Sequence, residues 1–69
     1  MQFTVNGEKQ DIDGPMTVAR LLASLKIDPT GARGIAVALN DKIVRRPDWA
    51  NRQITDGARV EIVTAQQGG

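Results

Sequence analysis

The two glycines that end the sequence, Gly68 and Gly69, offer the clearest prospect of chemistry, because the 69 residues include no cysteine and no histidine. The chain therefore lacks the usual thiol nucleophile and the side-chain base that titrates near neutral pH. The carboxylate of Gly69 remains as a possible reactive group. A terminal carboxyl group has a pKa of about 3.5, so at neutral pH it is ionised and needs activation, for example by adenylation, before anything is attached to it.

A terminal glycine pair suits such a task, because glycine has no Cβ and its backbone can enter a slot too narrow for other residues. Residues 65–69, with the sequence AQQGG, have no apolar periodicity and predict a mobile tail. Fully extended, this tail would reach about 17 Å. We expect Gln66, Gln67 and Gly68 to contact a partner that acts on Gly69. The two competing interpretations are chance composition and a cloning remnant.

Other residue types give no convincing catalytic site. The eight acidic residues are scattered along the chain, and the Gly14-Pro15 break beside Asp11 and Asp13 favours a solvated turn over a carboxylate pair. The glycines fit neither the phosphate-loop nor the dinucleotide-binding pattern. The serine and threonine hydroxyls have no histidine to activate them. We therefore expect a protein that is not an enzyme and that binds no metal or cofactor itself.

Charge and composition narrow the partners further. Nine basic and eight acidic residues give a net charge of +1, and one Phe and one Trp provide almost no base-stacking surface. The sequence has no signal segment and no apolar run of membrane-spanning length. We expect a cytoplasmic protein, monomeric by itself, that binds neither nucleic acid nor a membrane.

The first half of the sequence predicts a hairpin followed by a helix. Alternation over Gln2–Val5, then Asn6-Gly7, then residues 8–12 indicates two strands joined by a type I′ turn. Thr17 is a good N-cap for the next segment. An apolar stripe of helical spacing follows it, formed by Val18, Leu21, Leu22 and Leu25. The helix is expected to end before Pro29.

The second half predicts a further hairpin and a last strand. Residues 35–39 and 42–44 indicate strands around an Asn40-Asp41 turn, and residues 59–63 indicate the final strand after Asp56-Gly57. Between them, Trp49 is expected to pack a short irregular segment against the sheet. One helix on one face of a mixed sheet of four to five strands gives a two-layer α+β domain over residues 1–64.

One face of that sheet is expected to stay uncovered. Val63 should point away from Val60 and Ile62, because neighbouring side chains on a strand point to opposite faces. Ala36, Ala38 and Ile43 are expected to lie beside Val63. An exposed apolar patch next to the tail predicts a docking surface.

The sequence resembles the ThiS family, the ubiquitin-like sulfur carrier proteins of thiamine biosynthesis. The resemblance covers essentially the whole chain and is carried by Asn6-Gly7, Thr17-Val18 with Leu21-Leu22, Ala38-Leu39-Asn40, Ile43-Val44-Arg45-Arg46, Trp49, residues 56–63 and Gly68-Gly69. It implies a β-grasp fold in which the first and last strands run parallel at the sheet centre.

The resemblance also implies a reaction cycle and its partners. A ThiF-type adenylyltransferase would use ATP and magnesium to adenylate Gly69. A sulfur donor protein would then convert the adenylate to a thiocarboxylate, and thiazole synthase would take the sulfur for the thiazole ring. Open alternatives are a sulfur carrier for molybdopterin or cysteine synthesis, a ubiquitin-like protein modifier joined to lysines through Gly69, and a binding module with an incidental tail.

Overall fold

The computed structural model describes residues 1–27 and 34–64, and they fold into a mixed sheet with one helix on it. The predicted tail and the loop around Pro29 lie outside the described residues. The strands are β1 (Gln2–Val5), β2 (Glu8–Asp11), β3 (Met16–Thr17), β4 (Ile35–Leu39), β5 (Lys42–Val44), β6 (Gln53–Ile54) and β7 (Arg59–Thr64). The helix α1 spans Val18–Ser24, and a 3₁₀ helix spans Arg46–Asp48.

The main sheet has the strand order β2-β1-β7-β4-β5. β1 runs parallel to β7, whereas β1 with β2, β4 with β5 and β4 with β7 are antiparallel pairs. The prediction of a mixed sheet with the first and last strands parallel at its centre is confirmed. The short antiparallel pair of β3 with β6 was not predicted, because two residues are too few to show a strand period.

Both predicted tight turns form. Asn6 and Gly7 have φ values of 51° and 85°, and Asn40 and Asp41 have φ values of 52° and 69°. A type I′ turn requires positive φ at both central positions, and asparagine, aspartate and glycine tolerate it best. These residue types therefore fix the two hairpins.

The helix begins as predicted and ends earlier than predicted. The Thr17 side chain accepts a hydrogen bond from the Arg20 N–H at 3.2 Å, as an N-cap does. The last helical residue is Ser24, so Leu25 leaves the apolar stripe and is 44% exposed, which corrects its assignment to the buried face. Lys26 takes a left-handed φ of 63°, and its N–H donates to Ala23 O at 2.9 Å.

Contacts of Ile27 stabilise the end of α1 at Ser24. The Ile27 N–H donates to Leu22 O at 2.9 Å, which completes a Schellman motif with Lys26 at the position that usually holds glycine. The Ile27 side chain is partly buried against the core. The core thus gains Ile27 in place of Leu25.

The core lies between α1 and the helix-facing side of the sheet. Its fully buried members include Leu22, Val18, Val37 and Val60. Trp49 is 2% exposed, and its indole Nε1 donates to Val44 O at 2.8 Å, so the predicted packing of the irregular segment is confirmed. In the part of the chain that the structure describes, no helix has the length and apolar character needed to cross a membrane.

Candidate functional site

Of the five predicted site residues, Val63 lies within the described part of the chain, in strand β7. Gln66, Gln67, Gly68 and Gly69 lie outside it, and their predicted roles stay predictions. Strand β7 is the part of the described structure that is connected to the predicted site, because the predicted tail follows its last residue, Thr64. How β7 is held therefore determines the position of Thr64.

β7 is paired on both sides. Thr4 and Val5 of β1 face Arg59 and Val60, and β4 pairs with β7 from Leu39 opposite Val60 to Ile35 opposite Thr64. The pairing with β1 thus covers the beginning of β7, whereas the pairing with β4 continues to its last residue. The later part of β7 would have no hydrogen-bonded neighbour on the β1 side if backbone groups alone were available.

The Asn6 side chain occupies that side. Its Oδ1 accepts from the Ile62 N–H at 2.8 Å, and its Nδ2 donates to Ile62 O at 3.1 Å. The Asn6 backbone N–H also donates to Val60 O at 2.9 Å. The carboxamide has the same donor and acceptor groups as a peptide unit, so it continues the parallel pairing by one step after β1 has turned away.

Asn40 holds the other end of β7. Its Oδ1 accepts from the Arg59 N–H at 2.8 Å, and its backbone N–H donates to Arg59 O at 2.8 Å. Two type I′ turns thus place an asparagine on opposite sides of the same strand. Sequence reasoning found both turns and missed both side-chain contacts, because hairpin signals are local and do not show which distant strand lies alongside.

The open face of the sheet carries the predicted apolar patch. Val63 is 61% exposed and Ile43 is 70% exposed. The register places Val63 opposite Ala36, and Ile43 opposite Ala38, on the face that α1 does not cover. The predicted side-chain directions are confirmed, and we call these four residues the open-face patch.

Charged side chains border the open-face patch. The Arg59 guanidinium donates to the Asp41 carboxylate and lies 3.8 Å from Glu61 Oε1. The hydrogen bond and the charge of Asp41 raise the pKa of Arg59, so it remains cationic at any physiological pH. All three side chains are at least half exposed, which makes their ion pairs weak contributors to stability.

The described residues contain no cluster of three His, Cys, Asp or Glu side chains that could hold a metal ion. They also contain no buried polar or charged residue. What this part of the molecule presents is a firmly paired strand and a partly apolar sheet face beside it.

Comparisons with known proteins agree on one family. A model of the ThiS family matches residues 3–69. The crystal structure of the thiamine biosynthesis protein ThiS from Geobacter metallireducens superposes with a TM-score of 0.79 and 32% identity, with both chains covered completely. The solution structure of a thiamine biosynthesis protein from the same organism gives a TM-score of 0.77, again at 32% identity, covering this whole chain and 88% of that one.

A curated relative is larger. A thiazole synthase from Paramagnetospirillum magneticum is 36% identical over all 69 residues of this chain. The chain spans about a fifth of the length of that relative, 20%.

Proposed function

The chain belongs to the ThiS family, and from this we propose that it is a sulfur carrier protein of thiamine biosynthesis whose Gly69 carboxylate bears the sulfur. The match over residues 3–69 is the observation that carries the proposal, because it includes the glycine pair as well as the folded domain. The protein would act as a co-substrate of partner enzymes and not as an enzyme.

The proposed chemistry proceeds in two steps. An oxygen of the ionised Gly69 carboxylate attacks the α-phosphorus of ATP, and pyrophosphate leaves to give an acyl-adenylate. Hydrosulfide released from the sulfur donor then attacks the carbonyl carbon, AMP leaves and the sulfur loses its proton to solvent, which produces a thiocarboxylate. The first step is needed because an ionised carboxylate does not itself react with nucleophiles.

The catalytic groups for both steps are proposed to lie on partners. A ThiF-type adenylyltransferase would bind the ATP and magnesium, a sulfur donor protein would deliver the sulfur, and a thiazole synthase would receive it. The similarity to a thiazole synthase supports the last of these partners. The chain itself would bind no cofactor, and its place of action would be the cytoplasm.

We assign the open-face patch to the adenylyltransferase. Val63 and Ile43 are large apolar side chains exposed to solvent by 61% and 70%, and Val63 stands on the strand that leads to the tail. The six residues that follow Val63, up to Gly69, can extend by about 20 Å. A partner that covers the patch could therefore hold the domain while Gly69 reaches its nucleotide, with Gln66, Gln67 and Gly68 along the path.

A growth experiment tests the pathway. We expect this chain to restore growth without thiamine in a bacterium that lacks its own thiamine sulfur carrier. Deletion of Gly69 should abolish the rescue while leaving the folded domain unchanged by circular dichroism. If the chain restored cysteine or molybdopterin synthesis and not thiamine synthesis, it would be a sulfur carrier of that other pathway. Rescue by the variant that lacks Gly69 would contradict the proposal that the Gly69 carboxylate carries the sulfur.

A further inference from the structure

The Asn6 carboxamide stands at the last point where the β1 side of the sheet contacts β7. β1 ends at Val5, and the chain turns away at Asn6-Gly7. The side chain of Asn6 nevertheless reaches both backbone groups of Ile62, 56 residues further along the chain. Ile62 is followed by Val63 and Thr64, the last described residues.

Without this carboxamide, the N–H and C=O of Ile62 would lack a protein partner on that side. Both hydrogen bonds lie at a solvent-exposed position, and the end of a strand opens more readily when such exposed backbone groups lose their protein partners. From Ile62 onward, β7 would then be held by β4 alone. The end of β7 would open from one side more readily than its beginning, where Thr4 and Val5 are still paired.

We propose that Asn6 is a positioning residue that holds the end of β7 in the sheet at Ile62, and so holds the point from which the tail is delivered to the carboxylate-activating partner. This inference rests on the proposed function. Asn6 does not touch the reacting carboxylate. It acts through Ile62, two residues before the last described residue and seven before Gly69.

The structure supplies a matched control for this role. Asn40 has nearly the same positive φ as Asn6, 52° against 51°, and it also contacts β7 through its side chain. Its contact lies at Arg59, where β7 begins. Glycine accepts positive φ at both positions, so Asn6→Gly and Asn40→Gly each remove one carboxamide and keep the turn.

Hydrogen exchange followed by NMR tests the structural half of the proposal. In Asn6→Gly we expect the Ile62 amide to exchange about tenfold faster or more, relative to the amides of β4. Asn40→Gly should speed exchange at Arg59 and leave Ile62 protected. Asn6→Asp should restore only part of the protection, because the carboxylate still accepts from the Ile62 N–H but has no donor for the Ile62 carbonyl oxygen. A change in Asn6→Gly spread evenly over the sheet would overturn the role of Asn6.

Steady-state adenylation, with ATP and the activating enzyme, tests the functional half. For Asn6→Gly we expect kcat to fall about tenfold while KM rises by less than about threefold, since Val63 stays paired with Ala36 of β4 and the rest of the open-face patch is unchanged. Asn40→Gly should match the wild type in both constants. An unchanged kcat in Asn6→Gly would overturn the positioning role. A wild-type chain that is not adenylated at all would instead contradict the proposed function. The hydrogen-exchange measurement would still show whether Asn6 protects the Ile62 amide.

Discussion

Single side chains in this domain make contacts whose loss can be measured one at a time. Trp49 is an example, because it is 2% exposed and its indole donates to Val44 O at 2.8 Å. The Arg46 guanidinium also lies 4.9 Å from the centre of its ring. Trp49 therefore joins the segment around the 3₁₀ helix to the edge strand β5.

Trp49→Phe should keep most of the apolar contact and remove the hydrogen bond. We expect the free energy of unfolding to fall by about 1–3 kcal/mol, since the buried Val44 carbonyl oxygen loses the hydrogen bond from the indole and phenylalanine offers no donor in its place. Chemical denaturation followed by circular dichroism measures this. A stability equal to that of the wild type would mean that the hydrogen bond to Val44 contributes nothing.

Lys26 gives a second prediction for a single residue. It holds the left-handed position at the end of α1, with φ 63°, where a side chain is strained and glycine is not. Lys26→Gly should therefore raise the free energy of unfolding by up to about 1 kcal/mol.

Lys26→Ala is the matched comparison, because it removes the charge and keeps the Cβ. We expect it to show none of the gain, and thermal unfolding of the two variants side by side decides the matter. An equal rise in stability in both variants would show that loss of the lysine charge, and not relief of the left-handed backbone conformation, causes it.

At the scale of elements, α1 offers a direct test of where the helix ends. Leu22 is fully buried, whereas Leu25, three residues later, is 44% exposed. Leu22→Ala should lower the free energy of unfolding by about 2–5 kcal/mol. Leu25→Ala should lower it by less than about 1 kcal/mol, because it removes little buried surface. Equal losses, measured by urea denaturation, would show that the helix continues and buries Leu25.

The start of α1 could be predicted from the sequence, whereas its end could not. The N-cap at Thr17 and the stripe through Leu22 were predicted, because capping and helical period are local signals. The end at Ser24 was not predicted, because it depends on Ile27 finding space in the core. A lysine at the left-handed position does not predict a helix end from the sequence, whereas a glycine there would have predicted one.

The strands show the same division. Both hairpin turns and the open face were predicted correctly, since turn residues and strand alternation determine them. The contact of Asn6 with Ile62 joins residues that are far apart in sequence. The resemblance to the ThiS family supplied the parallel pairing of β1 with β7, which the residue pattern alone left open.

At the scale of the whole molecule, the open-face patch and the tail are proposed to work together. Val63→Gln and Ile43→Gln change exposed side chains, so the domain should fold with nearly wild-type stability. We expect KM for this protein in the adenylation reaction to rise about tenfold in the double variant, which corresponds to roughly 1.4 kcal/mol of lost contact.

Leu25→Gln is the control, because Leu25 is also an exposed large apolar residue and lies at the helix end, away from the patch. It should leave KM unchanged. If the double variant also kept its KM, the adenylyltransferase would have to bind another surface. If Leu25→Gln raised KM equally, the effect would be one of general surface apolarity.

The central claim is that Gly69 carries sulfur, and the intact mass of the protein tests it most directly. After incubation with ATP, magnesium, sulfide and a ThiF-type adenylyltransferase, we expect a gain of about 16 Da as one carboxylate oxygen is replaced by sulfur. Fragmentation should place the added mass on Gly69, and omission of ATP should prevent it. A mass that stays unchanged in the complete mixture, with an enzyme that converts another ThiS-family protein, would contradict the account.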